Sequence, residues 1–411
     1  MRLDSDTFRE IADALVRNKS RSLLTGFGIF WGLFMLLFLL GGGKGVKAKL
    51  MENFEGFASN AVILVTQETS QPYKGMPEGR YWSFEMRDIE RLRMLVPELD
   101  IVSPQIGQWG QTVVHGDYSF NENCSIKCIN ADYSMIETPK IKYGRQINQM
   151  DVLKESKVCV IGRRIYESLF PEGGDPCGQF IKAGSVYFQV VGVDFNAGNV
   201  SVNGSADSSI SIPITVGQKL YNRGRNLDII CATAKPGIEI TEIEGKIRSV
   251  LGRQHTFDPN DESALLVLNT QQIFRLMDNL FRGVNFLLWL VGLGTLLAGA
   301  IGVSNNMMVT VRERTTEIGI RRAIGATPRN ILSQIMLESV TLTLMAGSAG
   351  IVFAVLMLSL LEKIVAGGVF QIGFWTAILA ALLLTALGVV AGLAPAKRAM
   401  DIKPVDAMRD E

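Results

Sequence analysis

Few residues in this chain are of the types that do covalent, metal or redox chemistry, and they are scattered. There are two histidines, His115 and His255, and five cysteines, Cys124, Cys128, Cys159, Cys177 and Cys231. A metal site needs convergent ligands at sensible spacing, which two lone histidines do not supply. Cys124 and Cys128 share one face of an expected strand, but the extended chain between them holds them too far apart for easy bridging. An odd cysteine count leaves at least one thiol unpaired, and at this level the presence of a disulfide stays open. No G-x-S-x-G elbow or triad-like cluster occurs. The stretch Gly41-Gly42-Gly43-Lys44-Gly45 superficially resembles a phosphate loop. It is read instead as the end of a spanning helix, since it follows no strand and lacks the Lys-Ser/Thr pair of G-x-x-x-x-G-K-[ST]. The expectation is a binding or mechanical protein, with no catalytic residue, metal or cofactor of its own.

Charge distribution shows what must position such a mechanical part. The 411 residues are 47% hydrophobic and carry 41 Lys+Arg against 40 Asp+Glu, so bulk charge predicts no nucleic-acid partner. Uncharged runs cover 22–43, 283–311, 339–361 and 364–396. Each is long enough to cross a hydrocarbon core, which takes roughly 20 apolar residues. The predicted fold class is a membrane protein with four transmembrane α-helices in a 1+3 arrangement and a large mixed α/β extracytoplasmic domain after the first. The expected spans are 22–43, 284–308, 336–361 and 373–395.

Residues 1–21 are not a signal peptide by this reading, because a long segment precedes the apolar run and no A-x-A site follows. Phe8, Ile11, Ala12 and Leu15 at helical spacing, with Thr7-x-x-Glu10 as a capping box, predict an amphipathic helix on membrane lipid. Arg2, Arg9, Arg17, Lys19 and Arg21 lie in this segment. Arg312, Arg314, Arg321, Arg322 and Arg329 fall between the second and third spans, and Lys397, Arg398, Lys403 and Arg409 in the tail 396–411. The short connection between the last two spans holds only Lys363. The positive-inside rule then puts both termini and the segment 309–331 in the cytoplasm, and 44–282 outside.

That outer domain reads as alternating strands and short helices, which suggests one or two split-βαβ layers. Strands are predicted at 60–66, 111–115, 124–129, 157–161, 187–193, 209–214, 229–233 and 264–268, and helices at 83–95, 163–169, 215–221 and 240–251. Segments 71–79 and 196–209, rich in Gly, Pro, Asn and Ser, predict exposed loops or a hairpin tip. Residues 270–281 predict a helix running straight into the second span.

The most densely charged short segment of the C-terminal third is 309–331. Glu317 precedes Arg321 by one helical turn, the favourable order for an ion pair. Gly325 supplies a stop, and Thr327-Pro328 a cap and restart. The expectation is a polar helical hairpin gripped by something outside the membrane. Within the spans, small residues are spaced for close helix contact at Gly28 and Gly32, Ala298 and Gly302, Ala346 and Gly350, and Gly388 and Gly392. They predict a packed bundle or dimer.

These segments carry a resemblance. Arg17-Asn18-Lys19-Ser20-Arg21-Ser22-Leu23-Leu24-Thr25 leading into Gly28-Ile29 resembles the start of MacB/FtsX-type ABC transporter permeases. Glu313 through Ala326 (ERTTEIGIRRAIGA) is similar to that family's most recognisable segment, and Ala394-Pro395-Ala396-Lys397-Arg398-Ala399 with Pro404 to Arg409 to its C-terminal signature. Val158–Phe170, Asp175-Pro176-Cys177-Gly178 and Phe188–Val193 resemble the MacB-like periplasmic core. The resemblance implies an inner-membrane permease that works as a homodimer or related heterodimer with a separate ABC ATPase subunit, on which ATP and Mg reside. It implies that Glu313, Arg314, Glu317, Ile318, Gly319, Arg321, Arg322, Ala323 and Gly325 dock that ATPase. It further implies mechanical handling of substrate outside the membrane, most simply efflux with a periplasmic adaptor and an outer-membrane channel. A lipoprotein-releasing permease is the alternative within the family, and a membrane-anchored sensor or structural protein the alternative from another class.

Overall fold

The computed structural model describes residues 19–54, 56–196, 201–365 and 370–402. The amphipathic helix expected within 1–21 falls almost wholly outside the described residues, as does the tail beyond 402. The chain divides into two compact units, one made of residues 50–278 and the other of 1–49 with 279–411.

The first unit is a mixed sheet dressed with short helices. One hydrogen-bonded path of strands runs through Leu265–Asn269, Ala61–Thr66, Ile229–Ala234, Leu99–Trp109, Ser125–Ile129 and Ser209–Pro213. It continues through Val158–Gly162, Val186–Asp194, Phe180–Ala183, Val113–His115 and Tyr118–Phe120, with Ile141–Gly144 beside Val186–Asp194. The two halves meet at a short antiparallel pairing, Ile210 with Ile161 and Ser211 with Val160. Each half holds one parallel pair, Ser209–Pro213 on Ser125–Ile129 and Val186–Asp194 on Val158–Gly162. Parallel neighbours need crossover connections, and here these include the short helices.

All eight predicted strands and all four predicted helices form, with shifts of a few residues at their ends. The longest strand, Leu99–Trp109, is not among those predicted. Its sequence LDIVSPQIGQW breaks apolar alternation at Ser103 and Gln105, yet both are fully buried within it. Their polar atoms are satisfied: Ser103 donates to Asp132 at 2.7 Å, and Gln105 to the Tyr133 hydroxyl and the Val202 carbonyl, each at 3.3 Å. Buried polar groups are tolerated on those terms.

Of the segment 196–209, residues 197–200 lie outside the described residues, and the rest departs from the predicted exposure. Asn196, Val202, Ala206, Ser208 and Ser209 are buried. Asn196 donates to the Thr138 carbonyl, and Ser201 joins an ionic network inside the domain. There the Lys127 ammonium lies 3.0 Å from Glu137 and is 2% exposed, Ser201 bonds both, and Tyr133 donates to the other Glu137 oxygen at 2.7 Å. The polar residues that suggested a loop are the ones that satisfy buried partners. The segment 71–79 is exposed as expected, its start pinned by Asp261, which accepts from the Ser70 amide and hydroxyl, each at 2.7 Å.

Among the described residues, four helices are long and apolar enough to span a membrane. They belong to Lys19–Glu52, Thr270–Glu313, Pro328–Ile364 and Phe374–Met400. Thr270–Glu313 is one uninterrupted helix of 44 residues, as the continuous run after residue 270 predicted. At 1.5 Å per residue it is about 66 Å long, roughly twice a hydrocarbon core.

The glycine run does not end the first span. The helix continues through it to Glu52. A Cβ built on Gly41 would sit 2.5 Å from a Leu358 methyl, and one on Gly45 2.2 Å from the Phe370 ring. These glycines make room for neighbours instead of breaking the helix.

Candidate coupling site

The second spanning helix ends at Glu313, where Arg314 leaves helical geometry. Thr315 turns its hydroxyl back to the Arg312 carbonyl at 2.7 Å, satisfying part of that helix end. A short helix follows, Thr315–Ala323. Its end is a Schellman turn. Gly325 has φ +110°, its amide donates to the Arg322 carbonyl at 3.2 Å, and the Ala326 amide donates to the Arg321 carbonyl at 3.0 Å. Thr327 caps the next helix by accepting from the Asn330 amide at 3.4 Å, with Pro328 in the first turn. Stop and restart are therefore where the residue types predicted them.

The hairpin has an inner and an outer side. Val311, Ile318, Ile331, Ile335, Ala396 and Ala399 form a buried cluster that joins it to the third and fourth spanning helices. Gly319 is buried beside them. Glu313, Ala323 and Gly325 are exposed, Ile320 is 45% exposed and Ile324 82%.

The charged residues also divide. Arg321 lies 2.9 Å from Glu317, the predicted pair, and also donates to Gln334 at 3.1 Å. Arg314 faces Glu338 of the third spanning helix at 3.4 Å. Arg322 donates to the Met400 carbonyl at 2.9 Å and to the Ile402 carbonyl beyond it. A cleft of about 470 Å³ opens among Arg314, Glu317, Arg321, Gln334 and Glu338.

Glu338 is the residue sequence reasoning passed over. It falls near the start of the expected span 336–361, and Ile331, Ile335 and Glu338 follow helical spacing, so the inner face of that helix carries it inward. That periodicity was the available signal.

Small residues draw the spanning helices together within one chain. A Cβ on Gly28 would meet Gly299 at 3.3 Å, and one on Gly32 the Leu296 backbone at 3.3 Å. Gly388 faces Val340 at 3.1 Å, Gly392 faces Met336 at 3.0 Å and Ser339 at 3.1 Å, and Gly350 faces the Phe30 carbonyl at 2.7 Å. Ala346 approaches Gly26. Ala298 and Gly302 lie on an exposed face, with nothing within 4 Å of a Cβ at Gly302.

All five cysteines are free thiols, so the odd-count alternative of no bridge is the one the structure shows. Burial pushes the Cys124 thiol up to about 11 and the Cys128 thiol up to about 12, which disfavours the reactive thiolate. Among the described residues no three His, Cys, Asp or Glu side chains gather as a metal site would require.

An α/β domain inserted after the first of four spanning helices, with a capped hairpin between the second and third, defines a multi-pass membrane permease. A family model described as the MacB-like periplasmic core domain matches residues 22–250, and one described as the FtsX-like permease C-terminal matches residues 289–404. The chain belongs to the MacB/FtsX-like family of ABC transporter permeases.

It is 30% identical over 410 residues to the macrolide export ATP-binding/permease protein MacB of Nitrosomonas europaea, covering 99% of this chain and 59% of that protein. It is 29% identical over 398 residues to the pyoverdine export ATP-binding/permease protein PvdT of Pseudomonas putida, covering 96% of this chain and 58% of that one. The chain thus spans less than two thirds of these curated relatives. The crystal structure of the periplasmic region of MacB from Actinobacillus actinomycetemcomitans aligns with 56% of this chain and 98% of its own, at 18% identity and a TM-score of 0.44.

Proposed function

We propose that the chain is the permease subunit of an ABC exporter that works by mechanotransmission. ATP with Mg binds and is hydrolysed on a separate ATPase subunit, which grips the 309–331 hairpin in the cytoplasm. The hairpin moves the spanning helices, and a dimer of such permeases in the inner membrane moves the periplasmic α/β domains. The observation that carries this reading is the two-sided hairpin: seated on the bundle through Ile318 and Gly319, it leaves Ile320, Ala323 and Ile324 exposed beside Glu317 and Arg321. An exposed apolar strip rimmed by charge is the ordinary form of a protein contact. The export named for the relatives favours efflux, with a periplasmic adaptor and an outer-membrane channel as further partners.

The test is co-purification of the ATPase from native membranes with the full-length chain carrying Glu317→Ala and Arg321→Ala together. An exposed i,i+4 ion pair contributes only about 0.3–0.5 kcal/mol, and because Arg321 also bonds Gln334, Gln334→Ala is the control that removes that bond alone and should keep the ATPase. Loss of bound ATPase and of ATPase stimulation is expected in the double variant; undiminished association would end the coupling assignment.

A further inference from the structure

The buried side of the hairpin carries contacts that an apolar seat alone does not need. The cluster of Val311, Ile318, Ile331, Ile335, Ala396 and Ala399 is non-directional and would tolerate sliding. Two arginines from the most densely charged segment add direction. Arg314 reaches Glu338, whose side chain is 10% exposed, on the third spanning helix. Arg322 reaches the Met400 and Ile402 carbonyls where the fourth spanning helix ends. A cation there also meets the negative end of the helix dipole. Drawing a carboxylate out of water is costly, so a bare hydrophobic contact would have been the simpler anchor.

We propose that Arg314–Glu338 and Arg322–Met400/Ile402 are two separate transmission contacts, one driving the third spanning helix and the other the fourth. Glu338 is then a positioning residue for coupling that does not touch the ATPase. The inference rests on the proposed coupling role, and it divides the labour within the hairpin. Ile320, Ala323 and Ile324 face the partner, while Arg314 and Arg322 hold the bundle. Coupling between sites needs a physical element that both can bias, and these paired contacts supply one for each helix. Each arginine makes its contact through one terminal nitrogen, Nη1, which for Arg322 bridges two carbonyls.

The full-length chain in lipid nanodiscs, spin-labelled at Thr316→Cys on the hairpin and Leu344→Cys on the third spanning helix, tests the first contact without the ATPase. A narrow distance distribution is expected, broadened by Glu338→Gln and narrowed again in the reciprocal Arg314→Glu/Glu338→Arg pair. In the complex with the co-purified ATPase, ATP should shift this distance. Glu338→Gln should lose the shift while keeping the ATPase bound, a split that general unfolding would not give. Arg322→Ala should leave this shift in place and abolish the one measured from Thr316→Cys to Leu382→Cys on the fourth helix. An unchanged distribution in Glu338→Gln, or loss of the ATPase together with the shift, overturns the proposal. Failure of the unsubstituted chain to hold any ATPase overturns the proposed function, while the distances in the chain alone still decide whether the clamp exists.

Discussion

In the α/β domain the Lys127–Glu137 pair is sealed inside, with Ser201 and Tyr133 completing its hydrogen bonds. In the helical unit the Arg314–Glu338 pair lies along an open cleft, at the longer distance of 3.4 Å. This network is completed within the domain itself. In the bundle Arg314–Glu338 and Arg321–Glu317 lie at the end where the hairpin enters, and large apolar side chains are exposed along its helices. A body whose network is closed can be carried as a unit, whereas one with an open network can answer to a partner.

The largest effect is expected inside the domain. Lys127→Met should destabilise it by about 3–5 kcal/mol, because Glu137 is left buried without its cation. Thermal unfolding of the full chain followed by near-ultraviolet circular dichroism measures this. Adding Glu137→Gln should recover much of the loss; a small effect of Lys127→Met would mean that water reaches the network.

Packing in the bundle comes next. Gly350→Val forces side-chain atoms against the Phe30 carbonyl and should cost about 1–3 kcal/mol in detergent unfolding. Gly302→Val, with open space around it, should be neutral in a single chain. If Gly302→Val instead lowers the dimer fraction in cross-linking, that face is a contact between copies.

At the hairpin, Gly325→Ala puts a Cβ on a residue at φ +110°, and the strain should cost about 1–3 kcal/mol locally. Faster hydrogen exchange confined to 315–327 is the expected reading.

The smallest effect concerns acid. Burial pushes the Asp261 carboxyl up, but hydrogen bonds from Ser70, Ser263 and Gln71 outweigh it and hold the group below its ordinary value. A depressed carboxyl adds stability that is present above its unfolded pKa, about 3.9, and is lost as pH falls through the lower folded value. Asp261→Asn should therefore flatten the loss of domain stability below about pH 4 without changing its slope at neutral pH.

Much of this fold was legible because its signals are local. Uncharged runs mark the spans, and Glu317, Gly325, Thr327 and Pro328 each act on neighbours within a turn. What escaped was whatever depends on distant partners. Ser103 and Gln105 break the apolar alternation of Leu99–Trp109, and their partners Asp132 and Tyr133 lie elsewhere in the chain. Gly41 and Gly45 look like a helix end until Leu358 and Phe370 occupy the space they leave. Within the candidate site the hairpin's pairing was readable. The assignment of its arginines to different helices was not, since Met400 and Ile402 lie far along the chain.

The turn at Gly325 also sets a phase. Because the short helix is closed by a Schellman turn and the next begins at a capped Pro328, only Ile324, Gly325, Ala326 and Thr327 separate stop from start at the hairpin's bend. Each residue of helix advances by about 100° around the axis. One residue inserted into the third spanning helix just after its cap would turn Glu338 roughly that far from Arg314 while leaving Arg322 in register with the fourth helix. The hairpin is therefore keyed in rotation as well as in position, and length changes there should be tolerated far less than changes of residue type.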